Sequence, residues 1–288
     1  MDKELNNINS RKSLNSFWKA IFFISTTIGV IFLAILMYQI LSVGLKGLSW
    51  DFLTSMPSRI ASRAGVKAAL FGSVYIMLIT AVVSFPLGIG SAIYLYEYAP
   101  NNKLTRFIQL NIANLAGVPS IVYGMLGLSL FAKTLMLGES ILTGGLTLAL
   151  LILPVIITSS QEALKTVPDS LRQNALALGV TKWQMITGVV LPFAAPGIVT
   201  GCILAISRGL GEAAPLIVAG AVGIILKIPT SLMSQYTVLP IQIYDWSGRP
   251  QAAFQDIASS GIIVLLAILL SFNALAIVIR NKYGKRYE

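Results

Sequence analysis

Histidine is absent from this 288-residue chain, and cysteine occurs once, as Cys202 inside an apolar run. The first absence removes the side chain that most often shuttles protons and ligates metals near neutral pH. The second removes any disulfide framework or cysteine metal cluster. Charge is scarce as well: Lys, Arg, Asp and Glu make up 11% of residues, and the eleven acids lie nearly all outside the apolar runs. Without histidine or clustered carboxylates, a Ser-His-Asp, Cys-His or paired-acid hydrolase is excluded. A G-x-x-x-x-G-K-[ST] phosphate loop is missing too, and the Gly209-Leu210-Gly211 stretch sits in an apolar segment instead of after a strand, so the chain is read as no ATPase. No basic cluster is interleaved with aromatics, so the formal net charge of +10 carries no signal for nucleic acid. Membrane topology and anionic lipid account for it better.

What the chain has is apolar length. With 56% hydrophobic residues and a mean hydropathy of +0.79, it is not a soluble domain. Charge-free runs extend over Ala20 to Leu45, Ala68 to Tyr96, Phe107 to Ala132, Ser140 to Gln161, Trp183 to Ser207 and Ile257 to Ile279. Each reaches the roughly 20 residues that a spanning helix needs. No period of two persists over barrel-strand lengths, and only helices or closed barrels satisfy the backbone inside lipid. The reading is an all-α, multi-pass membrane protein with six transmembrane helices. The first run is too long for a signal peptide and is read as a retained, peripheral helix. The division is a polar amino-terminal tail at 1–16, the first helix and an external loop at 17–65, and a core at 66–283 that contains a polar loop at 161–190.

Basic residues set the orientation. An even number of helices puts both termini on one side, together with thirteen of the 21 basic residues, among them Lys12, Lys103, Arg106, Lys165, Arg172, Lys182 and Arg280. The other side has seven: Lys46, Arg59, Arg63, Lys67, Lys133, Lys227 and Arg249. The positive-inside rule then places both termini and the 161–190 loop in the cytoplasm of a cell membrane protein. The outer segment from Lys227 to Asp256 carries Tyr236, Tyr244 and Trp246, for which an interfacial aromatic belt is the default expectation.

The cytoplasmic loop contains QNALALGVTKWQMITGVVLP, Gln173 to Pro192. Gly179 stands where a left-handed C-terminal residue belongs, and Thr181 with Gln184 three residues on forms a capping box. Helix, glycine, helix makes a rigid knob. The spacing resembles the EAA loop of ABC importer permeases, with Gln173, Asn174 and Ala175 in place of EAA, Gly179 for the glycine, Val189 for the isoleucine, and Leu191-Pro192 at the close. Gln173 and Asn174 depart from the Glu and Ala of that pattern. The resemblance implies the type I importer permease fold (MetI-like) and a coupling helix that docks on a cytoplasmic ATPase.

One cation interrupts the apolar segments. Arg208 lies in AISRGLGEAAPLIVAG, four residues before Glu212, roughly 24 Å along a helix from Pro192 and so past the midplane toward the outside. An intramembrane charge costs about 2.5 to 3.5 kcal/mol on insertion scales and is generally retained for a pathway or a partner. A planar fork of donors suits an oxyanion, and Glu212 can orient it; an interhelical packing pair is the competing reading. Gly209, Gly211 and Pro215 mark a break in this run, of the kind tolerated where backbone lines a cavity or is buried in protein. Below it, Gly197 and Gly201 have a spacing that admits a neighbouring helix.

Three further stretches, AGVPSIVYG (116–124), RGLGEAAPL (208–216) and LPIQIYDWSGRPQAAFQ (239–255), resemble phosphate-importer permeases, the last two those of PstA type. This resemblance implies a role for Arg208, and less firmly Glu212, in the anion path. Ser120, after Pro119, is a third candidate, with a helix kink and a serine bonded to its own backbone as the alternative. The implied partners are a second, PstC-like permease, two copies of a PstB-like cytoplasmic ATPase holding ATP and Mg, and an external PstS-like phosphate-binding protein. No cofactor is assigned to this chain itself. Permeases for sulfate or molybdate, and a self-contained anion channel or carrier, are the alternatives.

Overall fold

The computed structural model describes residues 2–284, and no strand occurs among them. The long helices are α1 (Asp2–Gly47), α3 (Lys67–Ile93), α6 (Ile141–Lys165), α9 (Leu191–Leu210) and α12 (Ala252–Gly284). Shorter ones are α2 (Trp50–Thr54), α4 (Lys103–Leu115), α5 (Ser120–Gly127), α7 (Asp169–Ala177), α8 (Lys182–Met185), α10 (Ala214–Val218) and α11 (Leu239–Ser247). Wider π-helical turns extend α3 over Tyr94–Tyr98 and α5 over Leu128–Thr134, and another joins α8 to α9 over Ile186–Val190.

At the centre lies α6, whose Ile152, Ile156 and Leu164 are fully buried against Ile76 of α3 and against Ile186, Val190 and Ala205 of the α8–α9 helix. The expected close approach at Gly197 and Gly201 is present, and α6 makes it. A Cβ at Gly197 would lie 2.8 Å from Ala163 Cβ, and one at Gly201 would lie 2.2 Å from Ser159 Oγ. Small residues let the two backbones meet where lipid offers no hydrophobic drive for association. By contrast, Phe22, Phe23, Ile28 and Phe32 of α1 all point outward, an arrangement suited to acyl chains and not to water. Near its end, α1 is fastened to α12, where Ser260 Oγ donates to the Gly44 carbonyl at 2.8 Å.

The third apolar run is not one helix. Residues Lys103–Leu115 and Ser120–Thr134 are bent by 103° across a break at 116–119. Pro119 lacks an N–H and disfavours helical geometry at Val118; Pro119 itself has φ −55° and ψ 136°. The end of α4 tightens into turns, with Gly117 N–H donating to the Asn114 carbonyl and Val118 N–H to that of Leu115. Five continuous helices thus have membrane-spanning length and apolarity, and the bent pair supplies the sixth crossing if it counts as one span.

At the Lys67 end of α3, a small second core is formed by α2, the turn at Ala61–Arg63 and α11. Phe52, Val66, Leu239, Trp246 and Phe254 are buried there, and the Phe52 and Trp246 rings lie 6.0 Å apart. This corrects the aromatic-belt expectation: Trp246 and Tyr236 are fully buried, and of the three rings only Tyr244 is exposed. The rings fill a protein interior because α11 folds back onto α3, where Leu239 N–H donates to Ser73 Oγ at 3.0 Å. Arg249 is bound to Asp245 at 2.7 Å and lies over the Phe254 ring at 4.3 Å.

Candidate transport path and coupling loop

The polar loop after α6 folds as helix, glycine, helix. Pro168 opens α7 with Asp169 in its first turn, where a carboxylate favours the positive helix end. At the C-terminal end, Leu178 N–H donates to the Asn174 and Ala175 carbonyls, and Gly179 follows with φ +80°. That left-handed geometry is nearly free for glycine alone. The capping box is formed: Thr181 N–H donates to Gln184 Oε1 at 2.8 Å, and Gln184 N–H to Thr181 Oγ1 at 3.3 Å.

Of the residues matched to the EAA pattern, Gln173 and Asn174 face outward and Ala175 is buried beneath them. Leu191 and Pro192 are half-buried at the start of α9, so they seat the loop and do not form its outer surface. The outer surface is instead apolar at Leu176, Leu178 and Trp183; Leu178 is 84% exposed. Apolar side chains held out on a rigid knob fit a docking contact better than a solvated loop.

Arg172 was not singled out from the sequence beyond its contribution to charge bias. It is 11% exposed and pairs with Glu97, 7% exposed, through Nη2 at 3.1 Å and Nε at 3.2 Å. Its remaining donors go to the carbonyls of Val167 at 2.6 Å and Leu164 at 2.8 Å and to Asp169 at 3.1 Å, with Tyr96 under the guanidinium. Glu97, the acid that follows the apolar run ending at Tyr96, was not singled out either, and its partner lies 75 residues away.

Arg208 is arranged differently. It lies in the last turn of α9, and Gly211 ends the helix by donating to the Arg208 carbonyl at 3.2 Å. Nε is 3.7 Å from Glu212 Oε1; the two side chains are 45% and 24% exposed. Among the described residues this long contact is the fork's only one, whereas the nearly buried Arg172 is fully engaged. Arg172 thus has the geometry of a buried packing pair, whereas Arg208 and Glu212 meet at a helix end at 3.7 Å. After the break, α10 packs on α5 so closely that a Cβ at Gly124 would lie 2.7 Å from the Pro215 carbonyl oxygen. In α5, the Tyr123 hydroxyl donates to the Leu115 carbonyl at 2.9 Å. The start of α10 thus packs on α5 directly after the break that follows Arg208. Ser120 is half-buried in the first turn of α5 and makes no described hydrogen bond with the Arg208–Glu212 pair. Next to Arg208, Ser207 Oγ donates to Asn273 Oδ1 of α12 at 2.5 Å, a polar link between helices that the sequence reading did not single out. A cavity of about 430 Å³ between α3, α9 and α12 is lined by hydrocarbon from residues such as Met77, Phe85, Ile203 and Phe272, and is unsuited to an anion.

Residues 84–288 match the family described as binding-protein-dependent transport system inner membrane component. The chain belongs to this family. Among its relatives, the probable ABC transporter permease protein YqgI of Bacillus subtilis is 37% identical over 86% of this chain and 88% of its own length. The phosphate transport system permease protein PstA 1 of Mycobacterium tuberculosis is 34% identical over 94% and 90%, and PstA of Yersinia pestis 35% over 88% and 85%. Solved structures of similar fold are the inward-facing MetNI methionine ABC transporter (TM-score 0.61, 17% identity, 75% of this chain and 94% of that one) and a bacterial ABC transporter importing alginate (TM-score 0.62, 15% identity, 92% and 99%). At such identities they show the fold, that of MetI-type importer permeases. The chain is a multi-pass membrane permease component of an ABC transporter.

Proposed function

We propose that this chain is the transmembrane permease subunit of an ATP-driven phosphate importer, forming half of the translocation path and coupling to a cytoplasmic ATPase. Relatives named as phosphate permeases, 30–38% identical over most of the chain, support the substrate. The observation that carries the path is the underused guanidinium of Arg208 at a helix break. A fork of N–H donors in a partly water-excluded site matches two oxygens of a phosphate. Glu212 orients it at close range without consuming its donors, and Ser120 contributes a hydroxyl from α5. Both termini and the Gln173 to Pro192 loop face the cytoplasm, so Gln173, Asn174 and the apolar residues around Gly179 meet an ATPase of PstB type that holds ATP and Mg. A PstC-like permease completes the path, and a PstS-like protein delivers phosphate from outside.

The test is radiolabelled phosphate uptake into vesicles with ATP on the ATPase side, with and without this chain. ATP-dependent uptake that requires the chain, and that sulfate and molybdate do not compete, is the expected result. Uptake by the purified chain alone would refute the assignment in favour of a self-contained carrier.

A further inference from the structure

Resting on the permease reading above, we propose that the Glu97–Arg172 pair is the rigid link by which the coupling loop moves α3, which makes both positioning residues for transport. Taking an ion pair out of water is costly unless its donors and acceptors are satisfied. Arg172 spends three guanidinium nitrogens on four partners that belong to three separate pieces of chain: the turn after α3, the end of α6, and the start of α7. The second half of the knob is tied to the same turn. Lys182, the first residue of α8, donates to the Glu97 carbonyl, and its ammonium lies 4.8 Å from the Tyr98 ring centroid. Both helices of the helix–glycine–helix unit are therefore anchored on the five residues Tyr94–Tyr98.

That turn continues α3, and the combined helix Lys67–Tyr98 has 32 residues, a rod about 48 Å long. Near its opposite end, Ser73 accepts the N–H of Leu239 in the outer cap, and Gln242 Nε2 donates to the Gly65 carbonyl just before the rod begins, at 3.0 Å. One continuous helix, with Pro86 inside it, thus joins the coupling knob to the outer loops, with a nearly buried, multiply bonded clamp at the knob end. A displacement of α7 and α8 cannot leave the turn behind without breaking that clamp.

The test uses the whole importer, reconstituted in proteoliposomes with Glu97→Gln or Arg172→Lys in this chain. Gln keeps the shape but not the charge, and Lys keeps the charge but not the fork. The readouts are ATPase copurification, ATP hydrolysis, and phosphate moved per ATP. The expected result is an assembled complex that still hydrolyses ATP while phosphate per ATP falls at least about fivefold, the lower end of ordinary coupling energies. Unchanged phosphate per ATP in Glu97→Gln overturns the proposal, and so does loss of the ATPase subunits, which would make the pair a docking or folding element. A wild-type complex that moves no phosphate defeats the permease reading, and the link falls with it.

Discussion

Replacing Gly179 isolates the geometry of the coupling knob from its contacts. Its φ of +80° places it in the left-handed region, and nothing lies within 4 Å of where a Cβ would be. A substitution there meets no neighbour, so its cost is torsional. Left-handed geometry costs an ordinary residue about 1 to 2 kcal/mol, and Asn, which bonds locally, considerably less; a β-branched side chain lies at or above the top of that range. At about 1.4 kcal/mol per factor of ten, Gly179→Asn should dock the ATPase almost like wild type. Gly179→Ala should weaken docking about fivefold, and Gly179→Val about thirtyfold or more, by the same conversion. The assay is the affinity of purified ATPase subunits for the solubilised permease, paired with ATP-driven uptake in vesicles. Asn, Ala and Val falling in that order supports a docking surface built by one left-handed residue. If Val docks like wild type, or Asn fails as badly as Val, the knob is not held by this torsion and the reasoning is wrong.

Arg208→Gln should abolish phosphate uptake and leave assembly and ATPase docking intact, measured by uptake and copurification; loss of the complex would instead mean a packing role. Leu178→Ser should leave the thermal stability of the permease within about 0.5 kcal/mol, as for other surface changes. It should weaken ATPase binding about tenfold, the order expected if burying that side chain contributes about 1.5 kcal/mol. Thr181→Ala removes an N-cap worth about 1 kcal/mol, so docking affinity should fall roughly fivefold, and Thr181→Ser should restore it.

Long-range pairing and burial divided what the sequence made legible from what it did not. Gly179, the Thr181–Gln184 box and the break after Arg208 were readable because each depends on residues within a few positions, where torsional preference and capping decide the outcome. The close approach at Gly197 and Gly201 was readable as a spacing, but its partner was not, since Ala163 and Ser159 come from another helix. The third span was counted as one helix, because hydropathy averages over Pro119 and a 103° bend costs no apolar residues. Tyr236 and Trp246 were assigned to the interface from their type, yet the fold buries both.

By itself the sequence determined that the chain must cross a bilayer as helices, because so apolar a backbone has no other way to satisfy its hydrogen bonds in lipid. It also determined where a rigid knob forms and which cation lies inside the apolar segments. Only the tertiary structure decided which arginine is free. Arg172 and Arg208 each have an acid three or four residues away in sequence, Asp169 and Glu212. Packing brings Glu97 and two backbone carbonyls to the first and, among the described residues, gives the second one contact at 3.7 Å. A guanidinium's availability depends on which acceptors the fold carries to it, and those come from distant parts of the chain.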